Sequence, residues 1–262
     1  MKYYQRSLWP NLLTFGNIFL GFFAIVLFAQ QRFLPGCWLI VIAAILDGMD
    51  GAVARWVKSS SKFGGEVDSL ADAVSFGVAP ALLAYFMLPE ALGWYRVLFG
   101  SLPLLTATAR LARYNVLFDA HGHSRIFTGM PTPSSAMLFV GFYIYCHSYA
   151  FDFNTGPVWV SLTMIVSLLM ISPIPYRRLP VVQVHGAKRP WLSISFLVIV
   201  AAALLFDTSR VLFPMMVLYL LIGPIEWIVV HLRLSAADDS DNLAESSRVR
   251  TPRRPFFPRR HK

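Results

Sequence analysis

Four aspartates stand in one short stretch of an otherwise apolar chain: Asp47, Asp50, Asp68 and Asp72, in LDGMDGAVARWVKSSSKFGGEVDSLAD at residues 46–72. The first two are three apart and the last two four apart, so on helices each pair lies on one face. The segments on either side suit a membrane, where acidic side chains are costly and mark function. Two helices joined by a short loop pack antiparallel, so the two pairs can face each other. Four carboxylates converging on one spot repel, and need a cation or shared protons to stay together. Oxygen-only donors suit hard divalent ions, Mg²⁺ or Mn²⁺. Four carboxylates are enough for two ions, a common device in phosphoryl chemistry. Arg55, Lys58 and Lys62 can neutralise a diphosphate, although alone they would read as a loop that sets topology. Gly48, Gly51, Ala52 and Ala54 thin the helix so that a ligand can approach its backbone. Small residues also serve close helix packing in membranes. A structural ion-pair network explains the aspartates poorly, because only Arg55 is a basic partner at the same depth.

The elements that must position these groups are helices in a bilayer. The chain has 262 residues, of which 56% are hydrophobic and 14% charged. Soluble domains carry about 25% charged residues, so this composition cannot cover a water-facing surface. It implies an all-α integral membrane bundle of about eight spans. A span needs about 20 apolar residues. The expected spans are 11–30, 34–55, 68–88, 95–116, 135–150, 158–171, 191–206 and 211–232. Trp9-Pro10-Asn11 is expected to interrupt the start, after an interfacial segment 1–8, and no cleavable leader is evident. The transmembrane domain is thus 1–232, with a core at 9–172 and two further spans at 191–232. Residues 233–262 form a basic tail with little to pack, expected to be disordered.

With eight spans both termini share a side. Of 23 basic residues only Arg32, Arg96 and Arg210 fall on the opposite side. The positive-inside rule then puts both termini and the aspartate hairpin, between the second and third spans, at the cytoplasmic face. The net charge of +9 reflects this topology and the tail, not a nucleic-acid partner. The tail, Arg248 to Lys262, suits anionic lipid. Cys37 and Cys146 form no CxxC pair and read as core-packed thiols. His121 and His123 lack a third ligand and read as solvated. No internal repeat supports an inverted-repeat transporter.

Written as D-x2-D-G-x2-A-R-x8-G-x3-D-x3-D, the hairpin resembles the signature of the CDP-alcohol phosphotransferase family at every fixed position: Asp47, Asp50, Gly51, Ala54, Arg55, Gly64, Asp68 and Asp72. Members are integral membrane enzymes that displace CMP from a CDP-activated lipid or alcohol. The resemblance implies Asp47, Asp50, Asp68 and Asp72 as ligands of one or two Mg²⁺ or Mn²⁺ ions. Asp72 doubles as the base for the attacking hydroxyl. On the CDP-lipid side it implies Gly51, Ala54, Arg55, Ser61 and Gly64, with Asn11 and Thr14 from PNLLT. It also implies a homodimer, located in a bacterial inner membrane.

The hairpin does not name the acceptor. Arg110 and Arg113, in RLARYN at the end of the fourth span, lie on one helical face and can bind a carboxylate or phosphate. Snorkelling that sets topology is the bland reading, as good as the functional one for Arg113 and weaker for the deeper Arg110. RLARYN, PTPSSA and NLLTFGNIFLGF resemble the phosphatidylserine synthase branch of the family, over most of the first ~150 residues. The implied reaction converts CDP-diacylglycerol and L-serine into phosphatidylserine and CMP. Arg110, Arg113, Asn115, Thr132 and Ser134 are the implied serine pocket, with Tyr114 nearby. Glycerol 3-phosphate or inositol phosphate would use a denser basic pocket, for which Tyr176, Arg177, Arg178, Lys188 and Arg189 are available. Choline would want an aromatic cage. A divalent-metal transporter is the alternative of another class. It explains the aspartates but not Gly51, Ala54, Arg55 and Gly64 at fixed spacing.

Overall fold

The structure is a computed structural model that describes residues 2–57, 62–121, 129–149, 156–174, 176, 207–229 and 232. Among them there is no strand. The elements are α1 (Lys2–Ala29), α2 (Phe33–Val57), α3 (Lys62–Asp72), a π-helical stretch (Ala73–Val78), α4 (Ala79–Met87), α5 (Tyr95–His121), α6 (Thr132–Ser148) and α7 (Gly156–Ile171), followed by α8 (Asp207–Val229). The chain divides into a compact unit Met1–Gly223 and a second unit Pro224–Lys262. In the second unit only residues 224–229 and 232 are described, and they are helical.

Among the described residues three helices are long and apolar enough to cross a membrane: Leu12–Ala29, Phe63–Met87 and Asp207–Val229. Phe33–Met49 and Gly156–Ile171 are shorter apolar helices. α5 is 27 residues long, about 40 Å at 1.5 Å per residue, but carries Arg96, Arg110 and Arg113. Six of the expected eight spans coincide with helices at least in their central parts, and a seventh, 68–88, overlaps Phe63–Met87. The span expected at 191–206 and the tail at 233–262 lie outside the described residues, as do His123, Arg177, Arg178, Lys188 and Arg189.

One expectation at the N-terminal end is corrected. Pro10 does not interrupt the chain, because α1 is helical from Lys2 onward. A proline removes one backbone donor, and a long helix can absorb that loss where neighbouring turns stay bonded. The helix that carries the expected third span extends further back than Asp68. The helix begins at Lys62, so Asp68 and Asp72 stand in its second and third turns, and only residues 58–61 separate it from α2.

α1 and α2 form an antiparallel hairpin. Gly36 stacks against Phe28, where an added Cβ would lie 2.5 Å from the ring, and Gly16 meets Leu46 nearer the other end. Between them Gln31 adopts φ 59°, and the Arg32 amide donates to the Leu27 carbonyl at 2.8 Å. α3, the π-helical stretch and α4 run on as one helix, parallel to α1. At its far end Arg96 donates to the carbonyls of Tyr85 and Phe86 at 2.7 and 2.8 Å and lies over the Tyr85 ring. It thereby caps α4, which gives this basic residue a structural role.

α6 is the central helix. Its sequence TPSSAMLFVGFYIYCHS is apolar or small on every face, the pattern of a helix packed all round. Nearly every residue from Thr132 to Ile144 is buried. Phe139 stacks on Trp159 of α7 at 6.2 Å, and Phe142 touches Trp159 and Phe213. Gly141 lets α8 approach to backbone contact, since a Cβ there would lie 3.3 Å from the Phe213 amide nitrogen. The entry to α6 is pinned to the end of α7. The Gly129 amide donates to the Ile174 carbonyl at 2.9 Å and the Met130 amide to the Leu169 carbonyl at 3.1 Å. Gly129 has φ +83°, and a Cβ would collide with the Met170 carbonyl, so glycine is required on both counts. The consequence is a fixed, buried start of α6 carrying Thr132 and Ser134.

Candidate active site

Asp47 near the end of α2, and Asp68 and Asp72 on α3, each offer a carboxylate oxygen, and these oxygens all lie within 4.8 Å of one another. The spacing of four within DSLAD puts Asp68 and Asp72 on one face of α3. The short hairpin brings Asp47 across from them. Asp47 and Asp72 lie close enough for direct electrostatic contact. Asp68 Oδ1 and Asp72 Oδ1 are buried and have no hydrogen-bond partner among the described residues. A buried carboxylate oxygen without a donor is costly. Two such oxygens beside the Asp47 carboxylate fit a divalent cation: the donors are all oxygen, the charge is concentrated, and the Asp68 and Asp72 oxygens have no partner among the described residues. The Cβ of an alanine at Gly48 would meet nothing within 4 Å, so the approach to Asp47 along α2 is open.

Asp72 is the last residue before the π-helical stretch Ala73–Val78. Such a wide turn shifts the following side chains around the axis and recurs at functional sites. Here the Ser75 hydroxyl donates to the Asn17 carbonyl at 2.9 Å, and Gly21 lies so close that an added Cβ would sit 2.7 Å from Ser75 Cα. Gly21 is therefore level with Ser75. Because α1 and α3 run parallel, one turn back on each places Asn17 at the level of Asp72, and Thr14 near that of Asp68. Asn17 is wholly buried. Neither its amide nitrogen nor its amide oxygen has a partner among the described residues. Sequence reasoning passed over Asn17. The signal available was its i+3 spacing from Thr14, on the face opposite the exposed Phe15, Phe19 and Phe22.

On the other side of Asp72 the start of α6 supplies a hydroxyl. Thr132 Oγ1 donates to Asp72 Oδ2 at 3.3 Å. Arg110 of α5 is 8% exposed, lies within electrostatic reach of Asp72, and has a buried Nε with no partner among the described residues. Arg113 faces differently: its Nη1 donates to the Ile171 carbonyl at 3.0 Å, tying α5 to the end of α7. Asn115 bonds Ser69, the neighbour of Asp68, with Nδ2 3.1 Å from the Ser69 oxygen, so the end of α5 does meet the hairpin. Ser134 is buried and shares a hydrogen bond with Tyr219 of α8, a residue sequence reasoning did not single out. Thr14 is buried and Gly64 half-buried on α3. Asn11, Asp50, Gly51, Ala54 and Arg55 fall on described helical backbone, but their side chains lie outside the description, and Ser61 lies wholly outside it.

Chemically, the arrangement joins a carboxylate cluster able to hold a divalent cation to a buried arginine and hydroxyl groups across Asp72. That suits displacement at a phosphorus atom by a hydroxyl nucleophile. Comparison with known proteins points the same way. A model of the family described as CDP-alcohol phosphatidyltransferase matches residues 7–174. A Helicobacter pylori protein named CDP-diacylglycerol–serine O-phosphatidyltransferase is 36% identical over 230 residues, 87% of this chain and 94% of the relative. A Mycobacterium bovis protein of the same name is 33% identical over 238 residues, 85% of this chain and 80% of the relative. An archaetidylserine synthase of Methanothermobacter thermautotrophicus is 35% identical over 171 residues, 64% of this chain and 69% of the relative.

Proposed function

The chain belongs to the CDP-alcohol phosphatidyltransferase family, and from that premise we propose that it is a CDP-diacylglycerol–serine O-phosphatidyltransferase. The observation that carries this reading is the carboxylate cluster with Asp72 bonded to Thr132 on one side and within electrostatic reach of Arg110 on the other. The names of the relatives support serine as the acceptor. Family membership also argues against the transporter alternative.

The reaction moves a phosphatidyl group. The serine hydroxyl oxygen bonds to the phosphorus that carries the diacylglycerol. The anhydride bond from that phosphorus to the CMP oxygen breaks, and CMP leaves with the electron pair. Asp72 takes the hydroxyl proton, which passes on to water. Thr132, donating to one Asp72 oxygen, leaves the other directed at the nucleophile and fixes the carboxylate's orientation, a matter of geometry as much as basicity. Asp47, Asp50, Asp68 and Asp72 would hold one or two Mg²⁺ or Mn²⁺ ions, whose charge would offset that of the diphosphate and of the departing CMP. Gly51, Ala54, Arg55, Ser61, Gly64, Asn11 and Thr14 form the CDP-lipid side, and Asn17 offers it a buried donor and acceptor. Arg110 binds the serine carboxylate, with Asn115, Thr132 and Ser134 lining the pocket. Arg113 supports it through the end of α7. The site faces the cytoplasm of a bacterial inner membrane, the enzyme is a homodimer, and residues 233–262 form a tail outside the transmembrane domain.

The test is CMP release by the purified protein from CDP-diacylglycerol with serine, glycerol 3-phosphate, inositol phosphate and choline in turn. Serine alone should support turnover. A rate independent of serine, or a better rate with another alcohol, refutes the acceptor assignment and leaves the family intact.

A further inference from the structure

The matched family segment ends at residue 174, yet the buried groups around Asp72 continue beyond it. Tyr219 of α8 is 7% exposed. It shares a hydrogen bond with Ser134 and lies within electrostatic reach of Arg110. Arg110 in turn interacts with Asp72, Asp72 accepts from Thr132, and Thr132 stands two residues from Ser134 at the start of α6. These five side chains form a run of neighbours drawn from α3, α5, α6 and α8.

The docking of α8 that places Tyr219 is built at two further points. Gly141 admits the α8 backbone beside Phe213, six residues before Tyr219 on a helix antiparallel to α6, in step with the seven residues from Gly141 back to Ser134. Tyr176 donates its hydroxyl to the Leu220 carbonyl at 3.1 Å, packs its ring 5.8 Å from that of Tyr219, and fills the space a Cβ at Gly223 would need. Burial, and then the neighbouring Tyr219, push the Tyr176 phenol up to about 12, so it remains a neutral donor. Leu212, Met216 and Tyr219 are the buried stripe of α8, while Leu218, Leu221 and Ile222 are exposed. A single hydroxyl on the inward stripe of an otherwise apolar face is the polar group that needs a reason.

We propose that Tyr219 is a positioning residue of the acceptor pocket, its phenol holding the Ser134 hydroxyl beside Arg110 so that both meet the carboxylate of an amino-acid acceptor. The inference rests on the serine reading above. It gives α8, outside the matched segment, a part in acceptor selection.

Tyr219→Phe keeps the ring and removes only the hydroxyl, and Ser134→Ala removes the other half of the bond. Both are compared with wild type in detergent for KM of serine, KM of CDP-diacylglycerol, kcat, melting temperature and turnover of ethanolamine, which lacks the carboxylate. Loss of one hydrogen bond gives a rise in serine KM of roughly three- to tenfold. The lipid KM and melting temperature should hold within error, and the preference for serine over ethanolamine should narrow by a similar factor. The double variant should be no worse than either single one, because both remove the same contact. An unchanged serine KM in Tyr219→Phe, or additive losses in the double variant, overturns the inference while serine turnover by wild type keeps the parent reading. No turnover of serine by wild type overturns both.

Discussion

Replacing Asp68 with asparagine separates the electrostatics of the cluster from its catalysis. The ligand oxygens of Asp47, Asp68 and Asp72 lie within 4.8 Å of one another. Two ionised carboxylates at that distance, at an effective dielectric of about 20, repel by about 3.5 kcal/mol. Side-chain relaxation and solvent screening remove part of this, so the relief expected from neutralising Asp68 is about 1–3 kcal/mol. Asp68 Oδ1 has no hydrogen-bond partner among the described residues, so no bond from that oxygen is lost. For a chain of this size the gain corresponds to about 2–12 °C in melting temperature. The assay is thermal unfolding of purified protein in detergent, with EDTA and then with Mg²⁺ or Mn²⁺. Wild type should melt higher with the ion. Asp68→Asn should melt above wild type in EDTA, lose most of the rise on adding the ion, and be inactive. A variant that melts below wild type in EDTA, or that keeps the full rise with the ion, refutes the assignment of Asp68 as a ligand.

Two further substitutions probe the groups flanking Asp72. Thr132→Val preserves shape and removes the donor 3.3 Å from Asp72 Oδ2. It should lower kcat roughly three- to tenfold with little change in lipid KM, and unchanged kcat would show that Asp72 is oriented without it. Asn17→Leu removes a carboxamide with both polar atoms buried and unbonded among the described residues, a burden of about 1–3 kcal/mol. Its melting temperature should hold or rise while CMP release falls at least about tenfold, the scale of a lost pair of substrate hydrogen bonds; a stable and fully active variant would leave Asn17 without a role.

The aspartate hairpin was legible because its chemistry depends on local spacing. Asp68 and Asp72 are four apart, so their shared face follows from helix geometry alone, and Asp47 follows once the loop is short. The central burial of α6 was not legible from its hydrophobicity, since an apolar helix in a membrane can face lipid or protein alike. The π-helical stretch after Asp72 has no glycine or proline signal at its start, and depends on how Ser75 and Gly21 fit together. Tyr219 was hidden for a related reason: the lipid-facing residues of α8 are as apolar as its buried ones, so periodicity cannot mark the inward stripe. Pro10 misled in the opposite direction, as a helix breaker whose single missing donor a long helix tolerates. Arg113 reads in sequence as a twin of Arg110, yet one reaches the Ile171 carbonyl and the other lies buried near Asp72.

The most direct test of the central claim is to measure CMP and phosphatidylserine together, from CDP-diacylglycerol and serine, for wild type and Asp72→Asn. The account predicts equal amounts of the two products from wild type, neither without serine, and a rate at least about 100-fold lower for the variant, the usual scale for loss of a general base. CMP formed without serine, or a variant that retains the wild-type rate, would contradict it.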